Sequence, residues 1–369
     1  MQDFDTVFDR RPTFSTKWTR YAPDVLPFWV ADMDFQAPSF VREALQARVD
    51  HGIFGYTRTP ATLVEAFQSW LTHHYQWTVP EEWLVWIAGV VPGVNLGARA
   101  ARGAKDGVLV PTPVYYPFLE VAGNLGSRHI ESRLVRDGSR WVMDFDDLAK
   151  GAKRADSLLL SNPQNPTGRA YSAKELAALA RVCEAEDVVV VSDEIHSPLM
   201  LTDGAVHIPI ARAHPELKTI SLFAPTKAYN IPGLSSAVAV IPDAALRTRF
   251  LDARAGLVSD AGPLAHAACE AAYRDRSDWL QTLNQYLRAN RDALAEVAGA
   301  RMTEVEATYL AWIDVSDLPV SDIEAHFVAH GLGLSNGAQF GGPGFVRFNF
   351  GCPRDTLNEG LKRLASALK

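Results

Sequence analysis

Lys227 is the residue of this chain that stands out for reactivity. It follows the apolar run Thr219–Phe223 closely, within Ala-Pro-Thr-Lys-Ala-Tyr-Asn. Desolvation lowers the pKa of a lysine, and a neutral amine can attack a carbonyl carbon. We therefore interpret Lys227 as a candidate Schiff-base nucleophile, although most lysines only keep a protein surface solvated.

Two further polar side chains follow apolar runs. Asp193 comes after Val188–Val191, and Asn165 lies in the loop Asn162–Gly168 that follows Leu158–Leu160. A buried carboxylate can keep a ring nitrogen protonated, and an amide can donate a hydrogen bond to a phenolate oxygen. The alternatives are that Asp193 caps a helix and that the Asn-Pro loop is a plain turn.

The segment after Leu84–Ala88 contains glycines and resembles an anion site. In Gly89–Asn95 the glycines let the backbone approach a phosphate, and the helix that follows would point its N–H groups at it. The spacing matches neither the Walker loop nor the dinucleotide fingerprint, and a plain strand-to-helix turn is the alternative.

Two more residues could bind a flat, acidic ligand. Tyr115 follows Val108–Val110 and could stack on a ring, or it could simply fill the core. Arg347 lies between aromatic residues in Phe345–Phe350, where a buried guanidinium needs an anion. A substrate carboxylate fits its planar fork, and a structural ion pair is the alternative.

Together these residues offer an amine, partners for a ring nitrogen and a ring oxygen, a phosphate cradle and a carboxylate clamp. This is the set that pyridoxal 5'-phosphate (PLP) chemistry requires. Because open α/β sheets bind ligands beyond the carboxyl ends of their strands, the shared position of these residues favours one common site.

The elements that must position the site follow from the apolar pattern. Short, nearly continuous apolar runs alternate with helix-like stretches up to about Ile241, which predicts a doubly wound, mostly parallel sheet with helices on both faces. Ser172 and Glu175 form a capping-box pattern at one helix start. Beyond Ile241, a long helical stretch over 263–297 with a break near Ser277 precedes a smaller α+β region.

Composition narrows the class of protein. The 369 residues carry a net charge of −7, which disfavours a nucleic-acid partner, and about two domains are expected. The three cysteines are too few and too far apart for a disulfide framework, so a reducing, cytoplasmic location is expected. We expect no signal peptide, membrane span or metal site, since the adjacent His73 and His74 cannot share a helix face.

The order Asn165, Asp193, Lys227 and the motif Asn-Pro-x-Asn-Pro-Thr-Gly resemble fold-type I PLP enzymes of the class I/II aminotransferase superfamily. The finer resemblance is to the MalY/PatB-like cystathionine β-lyase (C–S lyase) branch. It rests on the segments 8–11, 27–35, 51–56, 89–92, 113–118, 192–196 and 309–314. It implies a three-layer fold with a large PLP-binding α/β domain at 46–275 and a small α+β domain formed by 1–45 and 276–369.

The resemblance also implies roles around the cofactor ring. Lys227 would form the Schiff base and carry the substrate Cα proton, and Asp193 would pair with the ring nitrogen. Asn165 would contact the ring hydroxyl, Tyr115 would stack on the ring, and His196 would lie near the ring oxygen. Lys227, Asp193 and Tyr115 are thus the predicted catalytic residues.

The phosphate would be bound by the backbone of Val90 and Val91, by Thr226, and by Tyr56 of a neighbouring subunit. The last role implies a homodimer with shared sites. Relatives often have a hydroxyl residue where this chain has Ala224. Many aminotransferases have an arginine where it has Ser235, but the C–S lyase branch generally lacks that arginine too. With both missing, phosphate binding would rely on the helix N-terminus, Thr226 and Tyr56.

On the substrate side, the resemblance places Arg347 at the carboxylate and Trp29 and Asp32 near the entrance. The implied reaction is α,β-elimination from cystathionine or another S-substituted L-cysteine. An aminotransferase would use the same residues and stays open as the alternative.

Two rival classes of protein are less well matched by the sequence. A nucleotide-binding α/β protein would use the Gly89–Gly93 loop, but the glycine spacing that it requires is missing. A non-enzymatic regulator built on the same fold would not need Lys227, Asp193 and Asn165 together. The sequence therefore favours a PLP-dependent enzyme over both.

Overall fold

The computed structural model describes residues 3–369; Met1 and Gln2, part of the N-terminal stretch in which no signal peptide is expected, lie outside them. The strands are β1 Leu26–Pro27, β2 Leu84–Ile87, β3 Gly107–Thr112, β4 Arg128–Asp137, β5 Arg140–Met143, β6 Ser157–Ser161, β7 Val189–Asp193, β8 Thr219–Phe223, β9 Ala237–Val240, β10 Leu310–Asp314, β11 Leu332–Gly333, β12 Ser335–Asn336 and β13 Phe345–Asn349.

The helices are α1 Thr16–Thr19, α2 Ser39–Asp50, α3 Ala61–Tyr75, α4 Val90–Ala101, α5 Pro117–Leu125, α6 Phe145–Ala152, α7 Ala173–Ala185, α8 Ile210–Ala213, α9 Ala244–Ala253, α10 Pro263–Tyr273, α11 Trp279–Ala298, α12 Ile323–Ala329 and α13 Arg354–Ala367. Short 3-10 helices occur at Arg11–Thr13, Glu81–Trp83, Pro232–Leu234, Gly299–Arg301 and Gly337–Phe340.

An eight-stranded sheet with strand order β2-β9-β8-β7-β6-β3-β4-β5 forms the centre of the molecule. The five strands β8, β7, β6, β3 and β4 run parallel. Side chains alternate between two cores: Val108 and Val110 pack with α4 and α5, whereas Leu109 packs with α6 and α7. Coverage of both faces explains the continuous apolar runs and confirms the three-layer α/β prediction.

Strand β9 differs from the parallel pattern. It lies between β2 and β8 and is antiparallel to both. A parallel strand would need a long crossover to the other end of the sheet. The chain after Phe223 instead turns back through the 3-10 helix Pro232–Leu234, so Lys227 and the start of β9 stay at the same end of the sheet.

The C-terminal third forms a second layer around the small sheet β10-β13-β12. The predicted helical stretch appears as α10 and α11, and its predicted break lies between Tyr273 and Trp279. The capping box at Ser172 is also confirmed, with Ser172 and Glu175 each accepting from the other's backbone N–H. No helix in the described part of the chain is long and apolar enough to cross a membrane.

Candidate active site

A cavity of about 230 Å³ lies at the carboxyl ends of the central strands. Most of the predicted site residues line it: Val90, Val91, Tyr115, Asn165, Asp193, His196, Thr226 and Lys227. The connections that follow β1, β2, β3, β6, β7 and β8 all contribute to its wall. The parallel sheet brings most of them together because the carboxyl ends of its strands share one edge.

Lys227 is held in the cavity by the backbone. Its Nζ donates a hydrogen bond of 2.6 Å to the carbonyl oxygen of Ala31, from a segment 196 residues away in the chain. Burial lowers the pKa of Lys227 to about 8, while the nearby carboxylates of Asp32 and Asp193 act in the opposite direction. With this pKa, part of the Lys227 amine is neutral near neutral pH, as a nucleophilic amine requires.

Asp193 ends β7 and faces the same cavity. Burial raises its pKa to about 7, and the hydrogen bond that its Oδ1 accepts from the Ile195 N–H, 3.0 Å long, opposes this shift. No Lys, Arg or His in residues 3–369 forms an ion pair with this carboxylate. A buried carboxylate without a cation fits the protonated ring nitrogen of PLP.

Asn165 is oriented by hydrogen bonds from Arg347 and from the backbone N–H of Tyr115. Its Oδ1 accepts a hydrogen bond of 2.9 Å from Arg347 Nη1, and its backbone oxygen accepts one of 2.9 Å from the N–H of Tyr115. Since the amide oxygen is occupied, the amide nitrogen keeps its donors for a ligand. This fits the predicted donation to a ring oxygen.

One end of the cavity is built from the start of helix α4. Gly89 precedes α4 with φ of +128°, a conformation that side chains rarely adopt, and Val90 and Val91 supply N–H groups of the first helical turn. Ser236 also lines the cavity, and its buried hydroxyl lies beside the thiol of Cys269. The N–H groups of a helix start fit a phosphate.

Ser236 is a site residue that the sequence did not predict. Its neighbour Ser235 also lines the cavity. The antiparallel return of β9 is what brings Ser236 back to the cavity. A short Pro-Gly connection after Lys227 was the available signal for that return.

Arg347 lies on β13 and is buried. Besides Asn165 it donates a hydrogen bond of 2.6 Å to the carbonyl oxygen of Trp29, and Phe340 covers the guanidinium at 4.6 Å. Its Nε is buried without a partner, and no carboxylate pairs with it within residues 3–369. A structural ion pair is therefore absent from the described part of the chain, and an acidic ligand remains the better match.

Tyr115 and His196 are two aromatic residues of the cavity wall. Burial raises the pKa of Tyr115 to about 12. His196 is buried beside Lys227 and Arg347, so burial and these cations hold its pKa well below the ordinary value, and its Nδ1 has no partner among the described residues. A neutral imidazole at this position can donate to or accept from a ligand.

Four predicted residues are not part of the cavity wall: Arg347, described above, and Trp29, Asp32 and Tyr56. The Trp29 indole donates to the Lys17 carbonyl at 3.0 Å, and Asp32 forms an ion pair with Arg10 at 2.7 Å. Tyr56 is fully exposed on the loop between α2 and α3. The entrance role of Trp29 and Asp32 and the intersubunit role of Tyr56 stay predictions.

The chain belongs to the aminotransferase class I and II family, whose model matches residues 23–364. It is 36% identical to the cystathionine beta-lyase PatB of Bacillus subtilis, an alignment that covers 99% of this chain and 100% of PatB. Among solved structures, that of OvoB has 42% identity and a TM-score of 0.95, covering 100% of this chain and 99% of OvoB. The PLP-bound C–S lyase from Staphylococcus hominis has 31% identity and a TM-score of 0.92, covering 100% and 98%.

Proposed function

We propose that this chain is a PLP-dependent carbon–sulfur lyase. It would convert cystathionine or another S-substituted L-cysteine, with one water, to pyruvate, ammonia and a thiol. The observation that carries the proposal is the buried Lys227 amine in one cavity with an unpaired Asp193 carboxylate. The full-length similarity to PatB and to a PLP-bound C–S lyase supports the choice of elimination.

Bound PLP supplies an aldehyde that condenses with amines and a ring that acts as an electron sink. Asp193 would hold positive charge on the ring nitrogen, and Asn165 would donate to the ring oxygen. The N–H groups of Val90 and Val91 would bind the phosphate. Thr226 and Tyr115, which also line the cavity, would contact the phosphate and the ring face.

Lys227 performs the proton transfers. When the cofactor holds the substrate, the Lys227 Nζ would be free, and its lowered pKa would leave it partly neutral. The neutral amine removes the Cα proton as general base. The substrate would release its β-sulfur as a thiol, and the protonated Lys227 Nζ would be an acid in the cavity that can supply the proton.

Arg347 would orient the substrate through its carboxylate. Its guanidinium is buried, is held by neutral oxygens of Asn165 and Trp29, and lacks an acidic partner in residues 3–369. The pairing of this buried guanidinium with a carboxylate is strong, so Arg347 would select substrates that carry a carboxylate, as α-amino acids do. Because Asn165 contacts both Arg347 and the cavity, substrate binding and ring contacts are coupled.

An aminotransferase is the second candidate, favoured by the family to which the chain belongs. It would use the same residues, but Lys227 would return the proton without loss of the β-substituent, so the thioether bond would survive. Purified enzyme is to be given cystathionine alone and, separately, an L-amino acid with a 2-oxo acid.

We expect pyruvate from cystathionine without any amino acceptor. The Lys227→Ala variant should lose both this activity and the absorbance of lysine-bound PLP. Lys218→Ala is the matched control, because Lys218 precedes the same strand β8 and its ammonium pairs with Asp187 at the surface. Amino transfer without pyruvate release from cystathionine would refute the lyase proposal.

We also propose that the enzyme acts as a cytoplasmic homodimer with shared sites. The exposed loop carrying Ile53, Phe54 and Tyr56 supports an interface, since apolar side chains cluster there at the surface. All three cysteines are unpaired and buried, which suits a reducing compartment.

A further inference from the structure

The acceptor of the Lys227 hydrogen bond lies in an irregular segment, residues 29–35, which side chains from distant parts of the chain hold in place. Asn349 Nδ2 donates to the carbonyls of Val30 and Asp32, at 2.6 and 2.7 Å. Asn230 Nδ2 donates to those of Met33 and Phe35, at 2.8 and 2.6 Å. With its carbonyls bound in this way, the segment presents the Ala31 oxygen at a fixed position.

The Ala31 oxygen accepts two hydrogen bonds. One comes from Lys227 Nζ at 2.6 Å, and the other comes from the hydroxyl of Tyr309 at 2.9 Å. A carbonyl has two lone pairs and can accept both. Tyr309 is completely buried, and its ring edge lies against His196 with centroids 5.7 Å apart.

The backbone before Tyr309 is strained. Thr308 has φ of +72°, which is a clear outlier for a β-branched residue, and it is fully buried with its N–H bonded to the Leu199 carbonyl at 2.8 Å. Strain of this kind persists where surrounding contacts impose it, and it clusters at functional sites. Here the strained Thr308 directly precedes Tyr309, whose hydroxyl donates to the same Ala31 oxygen as Lys227 does.

We propose that Tyr309 is a positioning residue for Lys227: its hydroxyl shares the Ala31 oxygen with the free amine, so the amine is held in place without being held protonated. The inference rests on the proposed function only in that Lys227 carries the Cα proton, a step common to the lyase and the aminotransferase.

The physical reason is competition for one acceptor. Donation from Tyr309 draws electron density from the Ala31 oxygen, which makes that oxygen a weaker partner for an ammonium. Of the charged groups around Lys227, the carboxylates of Asp32 and Asp193 favour the protonated amine and Arg347 disfavours it. Burial lowers the pKa of His196 well below its ordinary value, which favours the neutral imidazole, and a neutral imidazole does not oppose a charge on the amine.

The test removes the hydroxyl and keeps the ring, in the variant Tyr309→Phe. In the cofactor-free chain, the rate at which PLP attaches to Lys227 is followed by absorbance as a function of pH. In the loaded enzyme, exchange of the substrate Cα proton with deuterated solvent is measured over the same range. Both require the neutral amine, so both rising limbs should move to higher pH, by roughly half a unit to one unit.

Two comparisons keep the result unambiguous. Tyr273→Phe removes a buried hydroxyl that has no partner among the described residues and lies outside the cavity, so it should leave both profiles unchanged. Tyr309→3-fluorotyrosine keeps every atom of the contact and makes the hydroxyl a stronger donor, so the limbs should move to lower pH.

Profiles of Tyr309→Phe that coincide with the unmodified protein, or shifts in the same direction for both position-309 variants, would overturn the inference. The PLP attachment rate does not involve substrate. A failure of the lyase proposal therefore leaves this measurement intact, and the two outcomes can be told apart.

Discussion

Burial has opposite effects on the two ionisable groups at the centre of the cavity. It lowers the pKa of Lys227 to about 8 and raises that of Asp193 to about 7, so each group is pushed toward its neutral form. In the proposed reaction Lys227 acts as the neutral amine. Asp193, by contrast, can ionise with little loss of free energy only when a cationic ligand lies beside it. The cofactor ring would supply that cation.

Asp193 should therefore reduce the stability of the cofactor-free protein. Its pKa is 3.8 when unperturbed and about 7 in the folded chain, so unfolding releases a proton between these values and stability falls as pH rises through that window. Asp193→Asn keeps an acceptor for the Ile195 N–H and removes the charge. We expect it to raise the cofactor-free unfolding free energy at pH 8 by roughly 1–4 kcal/mol, and by less at pH 5.

The same variant should lower elimination activity by roughly a hundredfold, because the ring nitrogen loses its counter-charge. Thermal unfolding at the two pH values and initial rates with cystathionine measure the two effects. Asp187→Asn is the control, since Asp187 lies just before the same strand β7 and is exposed. An Asp193→Asn protein that is less stable at pH 8 would contradict the burial argument.

At the scale of elements, helix α4 is the part that brings its N-terminus to the cavity. It can approach the sheet closely because of glycine: a Cβ at Gly97 would lie 2.8 Å from Val191 Cγ1, and one at Gly93 would lie 2.6 Å from Ile87 Cδ1. Any larger residue would push the helix outward and displace the N–H groups of its first turn.

Gly97→Ala should therefore weaken PLP binding although residue 97 does not line the cavity. We expect a loss of stability of about 1–3 kcal/mol from overpacking and a measurable rise in the PLP dissociation constant, read by absorbance titration. Gly123→Ala in α5 is the control, because a Cβ there meets nothing within 4 Å and a helix interior favours alanine. Unchanged PLP affinity in Gly97→Ala would show that α4 can shift without moving the phosphate site.

At the scale of the whole molecule, the predicted intersubunit role of Tyr56 means that two chains would be needed for a complete site. It is fully exposed and does not line the cavity of its own chain. If it serves a second subunit, two inactive variants can complement each other: a mixed dimer of Tyr56→Ala and Lys227→Ala chains contains one site with both residues intact.

Mixing the two variants after reversible dissociation should restore about one quarter of the unmodified activity, given random pairing. Mixing Lys227→Ala with Asp193→Asn provides the control: each chain then damages its own cavity, so neither site of a mixed dimer is intact. If the mixture of Tyr56→Ala and Lys227→Ala chains recovers no activity, although sedimentation confirms that dimers have formed, Tyr56 does not belong to a shared site. The domain division at 46–275 also stays a prediction at this scale.

The amino-acid sequence by itself determined the central strands, the capped helix at Ser172, and which residues stand at the strand ends. These follow from local patterns, since apolar runs and capping residues act over a few positions. The sequence could not determine contacts between residues that lie far apart in the chain. Three features depend on segments that meet only in the folded chain: the Ala31 oxygen beside Lys227, Ser236 in the cavity wall, and the lack of an acidic partner for Arg347 within residues 3–369. The direction of β9 belongs with them, because strand direction is set by how the chain crosses the sheet and the apolar pattern of a buried strand is the same either way.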